Sequence, residues 1–460
     1  MKTEFQIRYH HVYFIGIGGI SMSGLAEILH CRGFQVSGSD LHPSDRTKYL
    51  ESLGIPVYYS HQKENISPDI NLVVYTAAVK EDNPELVAAK ELGIAVMDRA
   101  HLLGSIMEDY HNSVAVSGTH GKTTTTSMVS EILLAAQADP TITVGGILPT
   151  IQSNTRIGNS PFFVAEACEY FDSFLQFRPL VGIILNVEAD HLDYFKTLEN
   201  IRRSFHAFAK QVPQHGLVVI HEDIENVADL TENLPCKVET FSLSKNSNAA
   251  WQAQNIVHHE DGSNSFDLVY HQKNLGRISL HVPGEHNITN ALAACAATYF
   301  MGISVEDIAK GLAHFHGTNR RFQYKGSKNG VTVIDDYAHH PTEIKATLSA
   351  AKKTKHKELW CIFQPHTYSR TKFLFNEFGE CFALADHIVI ADIYAAREKD
   401  TGEINASKLA ERIAATGKDA SYVGNFQDIT AYMQAHCNEG DILMTIGAGD
   451  VYQIGEMFLE

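Results

Sequence analysis

Residues 113–136 read SVAVSGTHGKTTTTSMVSEILLAA. The stretch opens as a short apolar strand, breaks at Gly118, and restarts beyond Gly121 as a helix that carries Lys122 and four threonines in its opening turns. Strand, glycine turn, lysine and hydroxyls in that order build a phosphate cradle. Loop and helix N–H groups take the anion, Lys122 reaches the β- and γ-phosphates, and Thr123 offers a hydroxyl to Mg²⁺. Gly118, Thr119, His120, Gly121, Lys122, Thr123 and Thr124 are therefore candidate nucleotide contacts. Val116 stands where the first glycine of the usual eight-residue pattern belongs, so the loop is a variant of that pattern.

The same alternation extends to both sides. Upstream, HVYFIGIGG (11–19) is an apolar strand running into glycines, and SMSGLAEILHCRG (21–33) is a helix ending at a glycine. FQVSGSD, NLVVYTAAV and GIAVMD complete a parallel sheet, and the more polar stretch 102–112 closes the first domain. Downstream, PFFVAEA (161–167) and LVGIILNV (180–187) are short continuous apolar runs, as expected for strands buried on both faces. Residues 238–281 alternate in a hairpin-like way with a turn over 262–265, and GEHNITNALAACAATYFMG (284–302) reads as a helix. After HGTNRRF come four strands, VTVIDDYAHHP, LWCIFQPH, HIVIADIY and DILMTIGAGD, each stopping at polar or glycine residues. The expectation is an α/β protein of three domains, 1–108, 109–318 and 319–460. The first is Rossmann-like, the second a P-loop-type ATPase with a mostly parallel sheet, and the third another α/β unit.

Bulk properties agree. With 460 residues, 44% hydrophobic and 20% charged, the chain is neither disordered nor fibrous, and it is too long for one core. A net charge of −17 argues against nucleic acid or an anionic membrane as partner. Apolar runs fall short of the ~18 residues that span a bilayer. Seven cysteines without a CxxC pair suggest reduced thiols in a cytoplasmic enzyme.

Further residues carry chemistry. Gly16, Gly18 and Gly19, with Gly24 and with Asp40 closing the next strand, resemble a dinucleotide fingerprint whose third glycine is displaced; tight strand–helix packing is the competing explanation. Glu166 and His191 sit at carboxyl ends of expected parallel strands and suit a divalent ion together with Thr123, with Glu169, Asp190 and Asp193 as rivals. One histidine among 25 is by itself more often a packed residue than a ligand. Arg321 offers a planar donor to a γ-phosphate, and Asp335, Asp336, His339 and His340 follow a strand. His366 and Arg370 suit a small carboxylate. An oxidoreductase reading uses the glycines and Asp40 but leaves the lysine loop, Glu166 and the third segment unexplained.

Taken together, FIGIGGISMSGLAE, VSGSD, SGTHGKTTTT, VAEACEYFDSFL, NVEADHLDYF, GEHNITNALAA, RRF, DDYAHHPTEI, FQPHTYSRT, DIYAAREK and GAGDVY resemble, in order, the Mur ligase family of ATP-dependent amide-bond ligases in bacterial cell-wall precursor synthesis. The resemblance implies an ATP site at 118–124 and divalent ions (Mg²⁺ or Mn²⁺) on Thr123, Glu166 and His191. It implies adenine contacts from His286, Asn287 and Asn290, and Arg321 on the transferring phosphoryl group. Asp336 and His339 would line the nucleotide cleft. Gly16, Gly18, Gly19, Ser21, Met22, Ser23, Asp40 and Arg156 would serve the UDP-sugar, and His366 and Arg370 the amino acid. Lys122, Arg321, His191 and Asp336 would be the catalytic group. Substrates would be UDP-N-acetylmuramate and L-alanine, with a peptide acceptor as the alternative, in a monomer or weak homodimer without nucleic acid or membrane partners. The chain departs from many relatives at Thr367, where they carry arginine, and in EACEYFDSF, where they write EADESD.

Overall fold

A computed structural model describes residues 4–76, 78–244, 246–396 and 398–460. Two compact units arise, one from residues 1–251 with 293–311 and one from 252–292 with 312–460. Ala77, inside the strand expected at 71–79, and Arg397, inside DIYAAREK, lie outside the described residues. Among the described residues no helix is long and apolar enough to cross a membrane.

The first unit holds two sheets. Strands β1 (His11–Ile15), β2 (Gln35–Ser39), β3 (Val57–Tyr58), β4 (Leu72–Tyr75) and β5 (Ala95–Asp98) form one sheet in the order β3-β2-β1-β4-β5, parallel throughout. Every residue of β1 is buried, as its continuous apolar run requires. The order reverses at β1/β4, the point where doubly wound sheets bind ligands.

The second sheet of this unit uses β6 (Asn112–Ser117), β7 (Thr141–Leu148), β8 (Ser153–Arg156), β9 (Phe162–Glu166), β10 (Val181–Ile184), β11 (Leu217–His221) and β12 (Lys237–Ser242), in the order β12-β11-β10-β6-β9-β7-β8. Only the β7/β8 pair is antiparallel. Two sequence expectations change here. Residues 237–242 are not the start of a hairpin but run parallel to β11, because their apolar positions cover the same buried face. The β7/β8 pair was not foreseen, since its polar, glycine-bearing sequence does not alternate cleanly.

One hydrophobic core runs under both sheets. It takes Val12, Phe14 and Leu25 from the first sheet's side and Phe163, Phe174 and Phe205 from the second's. Helix Arg99–Met107 adds Leu102, Leu103, Ile106 and Met107 to it. Gly24, in helix Ile20–Cys31, is a packing glycine: a Cβ there would lie 2.1 Å from Thr155 Oγ1 on β8. Gly24→Ala is therefore expected to lower stability by about 1–3 kcal/mol. Chemical denaturation checks this, and an unchanged midpoint would show that the helix shifts without strain.

The second unit begins in β13 (Trp251–His258) and continues through β14 (Asn264–Tyr270) and β15 (Lys273–Leu280), an antiparallel pair. The turn before β14 centres on residues 259–263, where Gly262 has φ +84°, slightly earlier than expected. A six-stranded sheet follows, built from β16 (Gln323–Lys328), β17 (Val331–Asp336), β18 (Leu359–Phe363), β19 (His387–Ala391), β20 (Asp419–Gly424) and β21 (Ile442–Ile446), in the order β16-β17-β21-β18-β19-β20. It is parallel except for the β16 edge. Strands β18 and β21 are buried along their whole length, with apolar clusters on both faces.

Candidate active site

The phosphate loop is a feature of backbone before it is one of side chains. Helix Lys122–Ala135 starts after Gly121 in the left-handed region, φ +83°, and no side chain caps its first turn. Its opening N–H groups are thus left for an anion. Gly118, φ +140°, lies so close to the β10 end that a Cβ would stand 2.9 Å from Leu185 Cβ. Asn186 holds the loop: it accepts from His120 N–H at 2.7 Å and donates to His120 O at 3.1 Å, while Glu188 N–H donates to Thr119 Oγ1 at 2.9 Å. Asn186 is a structural member of the site that the sequence reading did not single out, because it lies 66 residues from its partner.

Lys122 Nζ folds back on the loop, donating to Thr119 O at 3.0 Å and to Glu169 Oε2 at 3.0 Å. Burial alone lowers the affinity of this ammonium for its proton. The nearby Glu169, Cys168 and Glu166 outweigh that effect, and the pKa of Lys122 is raised above its ordinary value. Burial pushes the Cys168 thiol up to about 11, so it stays a thiol at neutral pH.

Register brings the second feature. Val116 on β6 pairs with Glu166 on β9, which sets that carboxylate level with the loop. Glu166 Oε2 accepts from Thr123 Oγ1 at 2.8 Å and from Gly145 N–H at 3.0 Å. A Cβ at Gly145 would stand 2.4 Å from the same oxygen, so a side chain there would push the carboxylate out of this position. His191 keeps a left-handed backbone, φ +52°, and its ring stacks on Tyr170 at 4.3 Å. Its Nε2 lies 3.8 Å from Glu169 Oε1 and 3.7 Å from Asp190 Oδ2. Of the three expected metal ligands, Thr123 and Glu166 thus touch each other, whereas His191 faces Glu169 and Asp190, two residues read as rivals. Hard carboxylate and hydroxyl oxygens beside an uncapped helix suit a small divalent cation.

In the first sheet, Asp40 Oδ2 accepts from Gly18 N–H at 2.9 Å and so fastens the glycine turn. The Gly19 backbone precedes helix Ile20–Cys31, which has no side-chain cap. Ser21 Oγ accepts from Arg99 at 3.1 Å, Ser23 donates to Ile20 O at 3.2 Å, Met22 is buried, and Gly16 has φ +81°. Arg156 is committed elsewhere: its guanidinium bonds Asp139 and Pro140 O on the β7/β8 side.

The second unit gathers His286, Arg321, Asp336, His339, His366 and Arg370. Burial, helped by the charges of Arg321 and Lys353, lowers His286 to about 4, so the ring is neutral at pH 7. Asn287 and Asn290 follow on the same helix, Glu285–Phe300, joined by a 3.2 Å hydrogen bond. Asp336 accepts from the N–H groups of Phe322 and Ala338, both at 2.8 Å, and burial raises it to about 6 despite Arg321. Glu343 ties the cluster together, 3.7 Å from Arg321 Nη1 and 3.0 Å from His339 N. The rings of His339 and His366 are 6.0 Å apart, and Arg370 Nη1 is 3.2 Å from His366 Nδ1. Thr367, φ +61°, turns its hydroxyl to the N–H of Arg370 at 3.5 Å.

Comparison with known proteins gives a consistent result. Residues 11–111 match the Mur ligase family catalytic domain, 116–298 the Mur ligase middle domain, and 320–449 the Mur ligase glutamate ligase domain. The chain is 54% identical over 453 residues to a UDP-N-acetylmuramate–L-alanine ligase of Acetivibrio thermocellus, covering 98% of this chain and 96% of that one. It is 53% identical to the Lachnospira eligens protein of the same name, covering 98% of both. A crystal structure of UDP-N-acetylmuramate–alanine ligase from Thermotoga maritima superposes with a TM-score of 0.80 at 31% identity, over 97% of this chain and 98% of that chain. A murein peptide ligase from Psychrobacter arcticus gives 0.68 at 26%, over 98% of each.

Proposed function

We propose a reaction from one premise: the chain belongs to the Mur ligase family. It is an ATP-dependent ligase that joins L-alanine to the lactyl carboxylate of UDP-N-acetylmuramate in peptidoglycan precursor synthesis, acting in the cytoplasm. The observation that carries the choice of acceptor is the 54% identity, along 98% of the chain, to a ligase of that name.

The chemistry requires activation, because a carboxylate oxygen is a poor leaving group. In the first step a lactyl carboxylate oxygen attacks the γ-phosphorus of ATP, the bond to the bridging oxygen breaks, and ADP leaves with an acyl phosphate formed. The N–H groups opening helix Lys122–Ala135 hold the phosphates, and Lys122 turns from Glu169 to the transferring group. Arg321 meets the charge that builds on its equatorial oxygens. Thr123, Glu166 and His191 are the residues that would hold Mg²⁺ or Mn²⁺, which supplies neutralisation of phosphate charge when bound. Neutral His286, with Asn287 and Asn290, offers hydrogen bonds to adenine without adding charge.

In the second step the neutral amine of L-alanine attacks the acyl carbon. The tetrahedral intermediate collapses with loss of phosphate, and the nitrogen gives up a proton to leave an amide. His366 and Arg370 are assigned to the alanine carboxylate, and the glycine turn at 16–19 to the UDP diphosphate.

The test is phosphate release from ATP with UDP-N-acetylmuramate against a panel of single amino acids and the tripeptide L-Ala-γ-D-Glu-meso-diaminopimelate. Release dependent on L-alanine, with the ligated product seen by mass spectrometry, is expected. Release with the tripeptide alone would make this a recycling ligase of the same family and overturn the acceptor assignment.

A further inference from the structure

The amino edge of the six-stranded sheet carries a charged row outside every site singled out from the sequence. Trp360 on β18, His387 on β19 and Asp419 on β20 are register partners, so their side chains stand side by side on one face. Glu358, two residues before Trp360, falls on the same face. Beyond this row the face turns apolar, and Trp360 joins Ile362, Val389 and Leu443 in one buried cluster. His387 meets a carboxylate at each ring nitrogen: Nδ1 is 2.5 Å from Asp419 Oδ2, and Nε2 is 3.2 Å from Glu358 Oε2. Its ring lies flat on the Trp360 ring, with 3.9 Å between centroids and 18° between planes.

Both contacts need a hydrogen on the ring, because carboxylate oxygens only accept. A neutral imidazole carries one N–H, so the geometry selects the imidazolium, and the indole face beneath it suits a cation. Burial works against that charge, but Asp419 and Glu358 outweigh it and the His387 pKa is raised. The other ionisable groups around the ring have partners of their own. Asp386 accepts from Leu359 N–H at 2.9 Å and from Lys352 Nζ at 3.0 Å, and Lys418 donates to Ala385 O at 3.1 Å. His356 Nδ1 is 2.7 Å from Thr354 O. On helix Phe426–His436, His436 Nδ1 is 2.7 Å from Tyr432 O, and its ring stands 6.3 Å from that of Trp360. Burial, with the charges of Asp441 and Glu358, pushes the Cys437 thiol up to about 12.

One ring thus joins three chain segments. Asp419 opens β20, the last strand of the sheet, and Glu358 immediately precedes β18. Without the second proton, one nitrogen presents a lone pair to a carboxylate, and one of the two contacts must open. The longer Glu358 contact is the one that yields, since that side chain is 51% exposed and can turn to water. The bond to Asp419 then loses its charge assistance as well.

We propose that the His387 imidazolium is a pH-released staple of the second unit: charged, it fastens the amino ends of β18, β19 and β20 through Glu358 and Asp419, and on losing its proton it releases Glu358 and weakens its hold on the β20 edge. The direction of the titration sets the sign. The staple is complete below the ordinary histidine value, about 6.5, and is lost as pH rises through the higher value of the folded chain. It acts at the edge opposite His366 and Arg370, which follow the carboxyl end of β18, so its state depends on pH and not on substrate.

Two measurements on the full chain test this. NMR with ring-labelled histidine follows the His387 titration, its resonance assigned by its absence from His387→Gln. The native midpoint is expected above about pH 6.5, and Asp419→Asn is expected to bring it down toward that value. Hydrogen exchange read by mass spectrometry follows the β20 peptide from about pH 6 to about pH 9, each rate divided by that of an unstructured peptide. At the acid end the native protein is expected to protect β20 roughly fivefold better than His387→Gln, the scale of an exposed ion pair. That gap closes as pH rises through the NMR midpoint. A midpoint at or below the ordinary value, or one that Asp419→Asn leaves unchanged, overturns the inference. So does a protection gap that is absent or constant with pH. Should His387→Gln not fold, Asp419→Asn takes its place in both measurements, its displaced resonance giving the assignment.

Discussion

Lys122→Ala abolishes phosphate release from ATP while binding of UDP-N-acetylmuramate persists. The side chain contacts the loop carbonyls and Glu169, whereas the glycine turn proposed for the UDP moiety lies on a separate sheet. The variant also loses stability, since Glu169, 3% exposed in its side chain, is left without its cation; breaking such a buried pair costs about 3–5 kcal/mol. Lys122→Ala with Glu169→Gln recovers part of that loss but no activity, which separates the structural role of the pair from the chemical one. Phosphate release, calorimetry with the UDP-sugar and a thermal melt check the three parts. Lost UDP-sugar binding in a folded variant would sink the division of labour between the two sheets.

Arg321→Ala lowers turnover by about 10³-fold or more at saturating ATP, the effect of removing an arginine from a transferring phosphoryl group. Its neighbour makes the control. Arg320 donates to Asp335 at 3.0 Å, to Gly449 O at 2.8 Å and to Gly447 O at 2.7 Å, with its guanidinium carbon 4.9 and 4.8 Å from the Tyr337 and Tyr452 rings. That guanidinium is spent on fastening the 447–450 turn, so Arg320→Ala is expected to shift the melting temperature first. Arg321, 3.7 Å from Glu343, has a looser tie from which to turn to substrate. Near-normal turnover in Arg321→Ala would remove it from the mechanism.

What could be read from sequence was whatever chemistry is local along the chain. The lysine loop declares itself because glycine, lysine and threonine must follow one another at a helix start, and the parallel strands declare themselves as unbroken apolar runs. Contacts fixed by register were out of reach. Glu166 could be named as a ligand from its place at a strand end, but that its oxygen meets Thr123 and Gly145 depends on the pairing of β6, β7 and β9. Asp40 reads as a contact for the UDP-sugar, and one of its oxygens is taken by the Gly18 N–H. Gly24 looked like part of a nucleotide fingerprint, yet Thr155, 131 positions along the chain, explains why no side chain fits there. The His387 staple escaped altogether, because its carboxylate partners lie 29 and 32 positions away and no spacing rule joins them.

The core beneath helix Arg99–Met107 has a consequence for how the molecule comes apart. Leu102, Leu103, Ile106 and Met107 share one apolar cluster with Phe14 on one side and Phe163 and Phe174 on the other, and Gly104 is pressed so closely to Gln176 that a Cβ would stand 2.2 Å from its carbonyl oxygen. Neither sheet of the first unit is finished without that helix. In a denaturant titration the two melt together as one cooperative block, and a protease that nicks the chain after residue 108 liberates no stable fragment. The nucleotide-sugar end and the phosphate loop therefore share a single fate in folding, although each is assigned a different ligand.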